Sequence, residues 1–209
     1  MPTSDWLHTL RLLLEIAATA AFALSGIIAA ARKRLDVVGV CVVSFVAAFG
    51  GGTLRDLLLD RQVFWLADVA YLVCGLLAVA VTFLLARRIR VRPGLFVVPD
   101  AVGLALFTVV GCQIAVASGV HWLAASLLAV ITGVVGGMLR DILVNEVPLV
   151  MRPGTLYATA SWLGALTLLG ALHFGLGDAV AAVAGAAVVL GLRLAAIRWQ
   201  LSLPTYKSR

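Results

Sequence analysis

The sequence predicts an all-α membrane protein with seven transmembrane helices, arranged as two inverted three-helix repeats plus a seventh helix. The first observation is composition: of 209 residues, 63% are hydrophobic and only 12% are charged. A soluble domain is roughly half apolar and about a quarter charged, so a soluble enzyme and a disordered chain are both excluded. The second observation is a series of long apolar runs, and the third is an internal repetition. The runs are continuous, whereas membrane β-strands alternate apolar and polar residues.

The apolar runs are long enough to cross a bilayer, which takes about 20 residues per helix. No connection between them is long enough to form a soluble domain, so residues 1–209 are predicted to be a single transmembrane domain. The expected spans are Leu7–Ala31, Val37–Leu59, Trp65–Ala86, Val97–Val120, Trp122–Val144, Gly154–Leu172 and Ala179–Ile197.

Basic residues set the expected orientation, because cytoplasmic loops carry an excess of Lys and Arg. Of 16 such residues, 12 fall on the side of the C-terminus, two fall on the other side, and Arg55 and Arg140 lie within spans. We therefore expect an inner-membrane protein with its N-terminus outside and its C-terminus in the cytoplasm. The 12 include Arg193, which is expected to snorkel from the seventh span to the interface.

The positive charge has two further interpretations. The net charge of +6 would suit nucleic acid, but the basic residues are scattered over short loops and form no single binding face. Nucleic-acid binding is therefore not expected. The basic loops 32–34 and 87–92 would also suit anionic lipid headgroups, although topology alone already explains them.

An internal repeat is visible at an offset of 85 residues, where the segment Gly50–Asp56 recurs as Val135–Asp141. The same register, without a gap, pairs Glu15 with Asp100 and Gly26 with Gly111. Such agreement over about 70 residues is hard to ascribe to chance.

The repeat implies an inverted architecture. Repeat one is expected at about 7–87 and repeat two at about 92–172, with the seventh helix at about 177–198 outside both. Three spans per copy is an odd number, so the second copy enters the membrane from the opposite side. In transporters and channels of this kind, the functional path lies at the repeat interface.

The glycine clusters allow two explanations. Gly51 and Gly52 precede Arg55 by four and three residues and share its helix face, and the same spacing recurs before Arg140. Glycines at such positions either let two helices pack closely or mark a kinked helix whose carbonyls line a water path. A helix face that carries only glycines and ends in a charged side chain favours the second explanation, a kinked helix that lines a water path.

Charged groups inside a membrane mark ion pathways by default. In or near the spans lie two arginines and four acids: Arg55, Arg140, Glu15, Asp56, Asp100 and Asp141. The balance of −2 favours a path for cations. Sequence neighbours on a helix diverge by about 100°, so we expect each arginine to pair with an acid from another helix. That these pairs cross between the two repeats is a further hypothesis. Glu15 and Asp100 lie near span ends and are equally compatible with interfacial carboxylates.

No catalytic or metal-binding constellation is visible in the sequence. The three cysteines stand singly within apolar runs, without a CxxC or a Cys/His cluster, and no Ser/His pair shares a depth. We therefore expect no enzyme activity, no cofactor and no metal site. The expected ligands are permeating K⁺ or Na⁺, together with bound lipid.

The doubled element Gly-Gly-x-x-Arg-Asp in a seven-span chain resembles the prokaryotic trimeric intracellular cation (TRIC) channels, which are also catalogued as glycine transporters. The resemblance implies a homotrimer in which each subunit carries its own pore between kinked second and fifth helices. It also implies conduction of monovalent cations, with K⁺ weakly preferred over Na⁺. The residues it implies for the pore walls are Gly50, Gly51, Gly52, Arg55, Asp56, Gly136, Gly137, Arg140 and Asp141.

One position departs from this pattern, because Val135 replaces the first glycine of the second element. Gly133 is placed to compensate one turn earlier. The sequence thus predicts a potassium-permeable channel, with the acids Glu15 and Asp100 added to its pore. The alternative is a secondary transporter of a small zwitterion such as glycine, since inverted repeats and glycine-broken helices suit both.

Overall fold

The computed structural model describes the backbone of residues 3–86 and 96–204, with side chains from Leu12 onward except at positions 79, 82, 85 and 86. Within these residues all regular structure is helical. The α-helices are α1 (Thr3–Arg32), α2 (Val37–Leu58), α3 (Phe64–Ala67), α4 (Val69–Ala86), α5 (Val97–Ala117), α6 (Trp122–Leu143), α7 (Tyr157–His173) and α8 (Asp178–Trp199), and a 3₁₀ helix covers Leu149–Met151.

Five of these helices are long and apolar enough to cross a membrane, namely α1 over Leu12–Arg32, together with α2, α5, α6 and α8. The chain is therefore a multi-pass membrane protein. Helices α4 and α7 have 18 and 17 residues and occupy the positions of the third and sixth expected spans. The basic residues expected on the loop at 87–92 and at the C-terminus, Lys207 and Arg209, lie outside the described residues, as does the side chain of Arg11.

The third expected span begins differently from the prediction, because Asp68 interrupts it. Asp68 has an extended backbone that ends α3. Its Oδ1 then accepts a hydrogen bond from the backbone N–H of Ala70, at 2.8 Å, near the start of α4. Aspartate is a favoured residue at such helix starts, which explains the break. The sixth span also begins later than Gly154, since Leu156 adopts a left-handed conformation immediately before α7.

Helices α1 and α5 form the centre of the molecule. Helix α1 packs against α2, α4 and α5, and helix α5 packs against α6, α7 and α8. Phe22 of α1 and Phe107 of α5 stack with their ring centroids 5.6 Å apart and are fully buried. Helix α2 packs extensively against α6, which joins the two parts of the chain a second time.

The chain leaves α2 and α6 by the same backbone path. Asp60 and Asn145, which are 85 residues apart, both adopt left-handed conformations with φ of 51° and 53°. In each connection the next residue donates its N–H back into the helix, from Arg61 to Asp56 and from Glu146 to Asp141, both at 2.9 Å. These turns position the charged side chains at the two helix ends.

Candidate functional site

The glycines of α2 and α6 form a close antiparallel helix crossing. A Cβ added at Gly51 would overlap the carbonyl oxygen of Thr132, and one added at Gly136 would overlap the carbonyl oxygen of Ala47. Because a later residue of α2 meets an earlier residue of α6, the two helices run antiparallel. Only glycine lets two backbones approach this closely.

The remaining glycines of the two clusters are also occupied by neighbours. A Cβ at Gly52 would lie 2.6 Å from the Phe64 ring, and one at Gly137 would lie 2.6 Å from the Tyr157 hydroxyl. At Gly50 the nearest atom is the flexible end of Leu139, at 3.0 Å, whereas a Cβ at Gly133 would lie 2.7 Å from the Thr108 hydroxyl and 3.2 Å from the Leu104 carbonyl oxygen. Helices α2 and α6 are unbroken through these segments. In this conformation the glycines serve close packing, which is the other explanation that the sequence allowed.

The first charged cluster surrounds Arg55, which is 1% exposed. Its Nε and Nη2 donate to the two carboxylate oxygens of Asp56, at 2.8 and 3.1 Å, and its Nη1 donates to Glu15 Oε1 at 3.1 Å. Asp56 Oδ2 also accepts a hydrogen bond from the backbone N–H of Phe64, the first residue of α3, at 2.9 Å. The carboxylate of Asp56 thus links the arginine to the start of the next helix.

The second cluster surrounds Arg140 in the same manner. Its Nη1 donates to Asp100 Oδ1 at 2.6 Å, and its Nε donates to Asp141 Oδ1 at 2.9 Å. Asp141 Oδ2 accepts a hydrogen bond from the backbone N–H of Leu149, the first residue of the 3₁₀ helix, at 2.9 Å. In addition, Arg140 Nη1 donates to the Ser25 hydroxyl at 2.8 Å.

Two expectations about these pairs are wrong. Each arginine does meet the aspartate that follows it, because an N–H eight residues onward fixes that aspartate at the helix end. The acids from other helices, Glu15 and Asp100, come from the same half of the chain as their arginine, so the pairs do not cross between repeats. Ser25 of α1 is the residue that reaches Arg140 from the other half. Glu15 and Asp100 are 3% and 0% exposed, so they are buried rather than interfacial carboxylates.

The structure adds Arg193 of α8, which the count of basic residues places at the cytoplasmic interface. Its side chain is fully buried, with Nη2 3.5 Å from Asp100 Oδ2. The guanidinium carbon lies 4.5 Å from the ring centroid of Tyr157, and Nη1 donates to the carbonyl of Thr155. The snorkelling expectation is therefore wrong. In the structure Arg193 continues a buried stripe of four-residue spacing through Gly185 and Val189, but α8 is apolar on all sides, so its sequence carries no signal for this face.

With Arg193 included, the buried charged groups among the side chains that the structure describes are three arginines and four carboxylates, which gives a formal net charge of −1. The excess of acid over base is smaller than the sequence predicted, but its sign is the same. Within the described ranges, no group of three or more His, Cys, Asp or Glu side chains is placed to hold a metal ion.

An exposed ion network links the loops next to the second cluster. Lys33 Nζ lies 2.6 Å from Glu146 Oε1, and Arg152 Nη2 donates to Glu146 Oε2 at 3.1 Å. The hydrogen bond from Lys33, together with its charge, holds the pKa of Glu146 below its ordinary value. This contact ties the loop after α1 to the loop after α6.

The chain is similar in sequence to a known family and to named membrane proteins. A family model described as "Glycine transporter" matches residues 12–87 and 97–173. The chain is 42% identical over 196 residues to the UPF0126 inner membrane protein YadS of Escherichia coli, covering 92% of this chain and 94% of that protein. It is 41% identical over 197 residues to a UPF0126 membrane protein of Vibrio cholerae, covering 93% and 82%.

Solved structures show the same similarity. The TRIC trimeric intracellular cation channel orthologue from Rhodobacter sphaeroides superposes with a TM-score of 0.87 at 36% identity, covering 92% of this chain and all of that chain. A second structure, described as showing the structural basis for conductance through TRIC cation channels, superposes with a TM-score of 0.83 at 32% identity, covering 94% and 97%. Both likenesses therefore extend over nearly the whole chain.

Proposed function

The chain belongs to the TRIC cation channel family, and on this premise we propose that it is a channel for monovalent cations. The observation that carries the proposal is the pair of buried charged clusters on either side of the α2–α6 crossing, with one carboxylate in excess. A buried charge is costly in lipid, and an acid excess attracts cations while it repels anions. The solved structure described as showing conductance through TRIC cation channels, at 32% identity to this chain, supports the same assignment.

We propose that the chain is built from two inverted three-helix repeats, at about 7–87 and 92–172, with α8 at about 177–198 outside them. Several contacts recur at the offset of 85 residues and support this division. Arg55 meets Glu15 as Arg140 meets Asp100, and each following aspartate caps the next short helix. Each arginine pairs with an acid 40 residues before it.

The proposed pore lies within one subunit, along the α2–α6 crossing. The contacts at the crossing place Arg55 and Arg140 about 12 residues apart along the helices, or about 18 Å. That separation fits within a hydrocarbon core of about 30 Å. The proposed lining residues are Gly50, Gly51, Gly52, Arg55, Asp56, Gly133, Gly136, Gly137, Arg140, Asp141, Glu15 and Asp100. Since glycines seal the crossing in this conformation, conduction requires α2 and α6 to part.

The finer properties follow from the family and the charge pattern. We propose a homotrimer in the inner membrane, with the N-terminus outside and the C-terminus cytoplasmic, surrounded by lipid and requiring no cofactor. The absence of a TVGYG-like filter in the sequence supports weak preference for K⁺ over Na⁺. Orientation is testable by labelling cysteines placed at the two ends of a chain that otherwise lacks cysteine.

An ion-flux assay tests the function directly. Purified protein in liposomes loaded with KCl should release K⁺ when an outward gradient is applied and a proton ionophore balances the charge. Empty liposomes and liposomes with Asp56→Asn/Asp141→Asn protein serve as controls, and the variant should release K⁺ more slowly. Equal release from protein-containing and empty liposomes would refute the proposal.

A second candidate function is supported by the family model described as "Glycine transporter". A secondary transporter of glycine would take up labelled glycine in a saturable manner that depends on a proton or sodium gradient. The same liposomes can be tested for this uptake. Saturable glycine uptake without K⁺ flux would replace the channel by the transporter.

A further inference from the structure

We propose that Arg193 determines the charge selectivity of the pore, because it neutralises the second charged cluster and leaves the first one negative. The inference rests on the proposed channel function and deepens it. It concerns a residue outside both segments matched by the family model.

The two clusters match in structure but differ in charge. The first holds Arg55 with Glu15 and Asp56, for a formal charge of −1. The second holds Arg140 with two aspartates, and would carry the same charge on its own. Arg193 adds a positive charge to the second cluster only, so its formal charge is zero. The whole excess of negative charge therefore resides at the first cluster.

The contact of Arg193 with Asp100 is mainly electrostatic. Asp100 uses Oδ1 to accept from Arg140, at 2.6 Å, and from the Tyr157 hydroxyl, at 3.0 Å. Its Oδ2 faces Arg193 Nη2 at 3.5 Å, which is too long for a good hydrogen bond. Among the described residues, Asp100 Oδ2 and the Nε and Nη2 of Arg193 have no hydrogen-bond partner. The pair thus contributes charge compensation without tight geometry.

The packing of Arg193 holds its charge at this place. The side chain is fully buried on the face of α8 that packs against α5 and α7. The Tyr157 ring lies against the guanidinium, and the Thr155 carbonyl accepts a hydrogen bond from Arg193 Nη1. Burial makes each charge act over a longer range than at the surface, since solvent screens it less. Removal of Arg193 should therefore change the field along the pore more than removal of an exposed arginine.

The test uses three charge variants and the reversal potential in a KCl gradient. Arg193→Gln makes the second cluster negative, Asp100→Asn makes it positive, and the double variant returns it to zero. The permeability ratio of K⁺ to Cl⁻ should rise about tenfold in Arg193→Gln, because one unit charge about 10 Å from the ion path, at an effective dielectric of about 40 to 50, favours K⁺ about threefold and disfavours Cl⁻ about threefold. It should fall by a similar factor in Asp100→Asn, and the double variant should match the wild type.

A matched control is Arg198→Gln, five residues later on the same helix and exposed, which should change the ratio less than Arg193→Gln does. Arg193→Lys keeps the charge and should keep the wild-type ratio. If Arg193→Gln does not assemble, the comparison of the other two variants tests the inference. The double variant should restore the K⁺ to Cl⁻ permeability ratio that Asp100→Asn lowers.

The outcomes separate the inference from the function on which it rests. An unchanged ratio in Arg193→Gln, in a channel that conducts K⁺, overturns the inference and leaves the channel function standing. A loss of K⁺ conduction in all three variants, largest in the double variant, would assign Arg193 a structural role only. That result would also overturn the inference. If the wild type carries no cation current, the proposed function fails and the inference falls with it.

Discussion

Substitution of Gly51 by alanine tests whether the α2–α6 crossing is the gate. The added methyl group would overlap the Thr132 carbonyl oxygen and lie 3.0 Å from its carbonyl carbon. Ordinary contacts between carbon atoms are about 3.5–4.0 Å, and the overlap with the oxygen is deeper than that with the carbon, so the two helices must separate locally by roughly 1 Å or more. Overpacking of this kind costs about 1–3 kcal/mol in the closed conformation. The helix-forming advantage of alanine, about 1 kcal/mol, applies to both conformations and cancels in gating.

If opening parts α2 from α6, Gly51→Ala destabilises the closed conformation relative to the open one. A free-energy difference of about 1–3 kcal/mol corresponds to about a 5- to 150-fold rise in the ratio of open to closed channels. Single-channel recording in planar bilayers measures this ratio as open probability. The thermal stability of the detergent-purified variant is measured in parallel.

Gly170→Ala in α7 is the matched control, because a Cβ added there meets no atom within 4 Å. It should leave open probability unchanged. A stable Gly51→Ala protein with wild-type open probability and wild-type melting temperature would refute the close crossing. A lowered melting temperature with unchanged open probability would show that the crossing is structural and that the gate lies elsewhere.

Three other predictions concern the charged groups. Arg140→Met leaves two aspartates without their buried partner, and should lower the free energy of unfolding by about 3–5 kcal/mol, measured by thermal unfolding against Arg198→Met. Asp141→Asn keeps the side-chain size but removes a negative charge, so the K⁺ to Cl⁻ permeability ratio should fall; a wild-type reversal potential would contradict this. The pKa of Glu146 is lowered in the folded protein by its contact with Lys33. This contact therefore stabilises the folded protein at pH values above the ordinary pKa of 4.5, and the stabilisation is lost as the pH falls below that value. Wild type and Glu146→Gln should therefore differ at pH 6–8 by a constant amount and converge below pH 4.5, as measured by thermal unfolding; convergence already near pH 6 would contradict the shift.

Much of the architecture could be predicted because lipid leaves few alternatives for an apolar run. The ends of α2, α5 and α6 agree with expectation within a few residues. The break at Asp68 escaped prediction because hydropathy averages over a window and does not register one side chain that begins a new helix. The late start of α7 has a similar local cause, the left-handed conformation of Leu156.

The burial of Arg55 and Arg140 with acids from other helices was predictable, because charged groups inside lipid must find partners. The identity of the acids that pair with each arginine was not predictable. The angular rule for adjacent residues assumes a continuous helix, whereas Asp56 is near the helix end and is fixed by the N–H of Phe64. Arg193 was missed because counting basic residues by loop takes no account of the helix face on which a residue lies.

The most direct test of the central claim is a planar-bilayer recording of the purified wild-type protein in a KCl gradient with no organic substrate present. The proposed function predicts unitary currents that reverse near the equilibrium potential for K⁺. Currents that reverse near the equilibrium potential for Cl⁻, or a silent bilayer alongside saturable glycine uptake in liposomes, would contradict it.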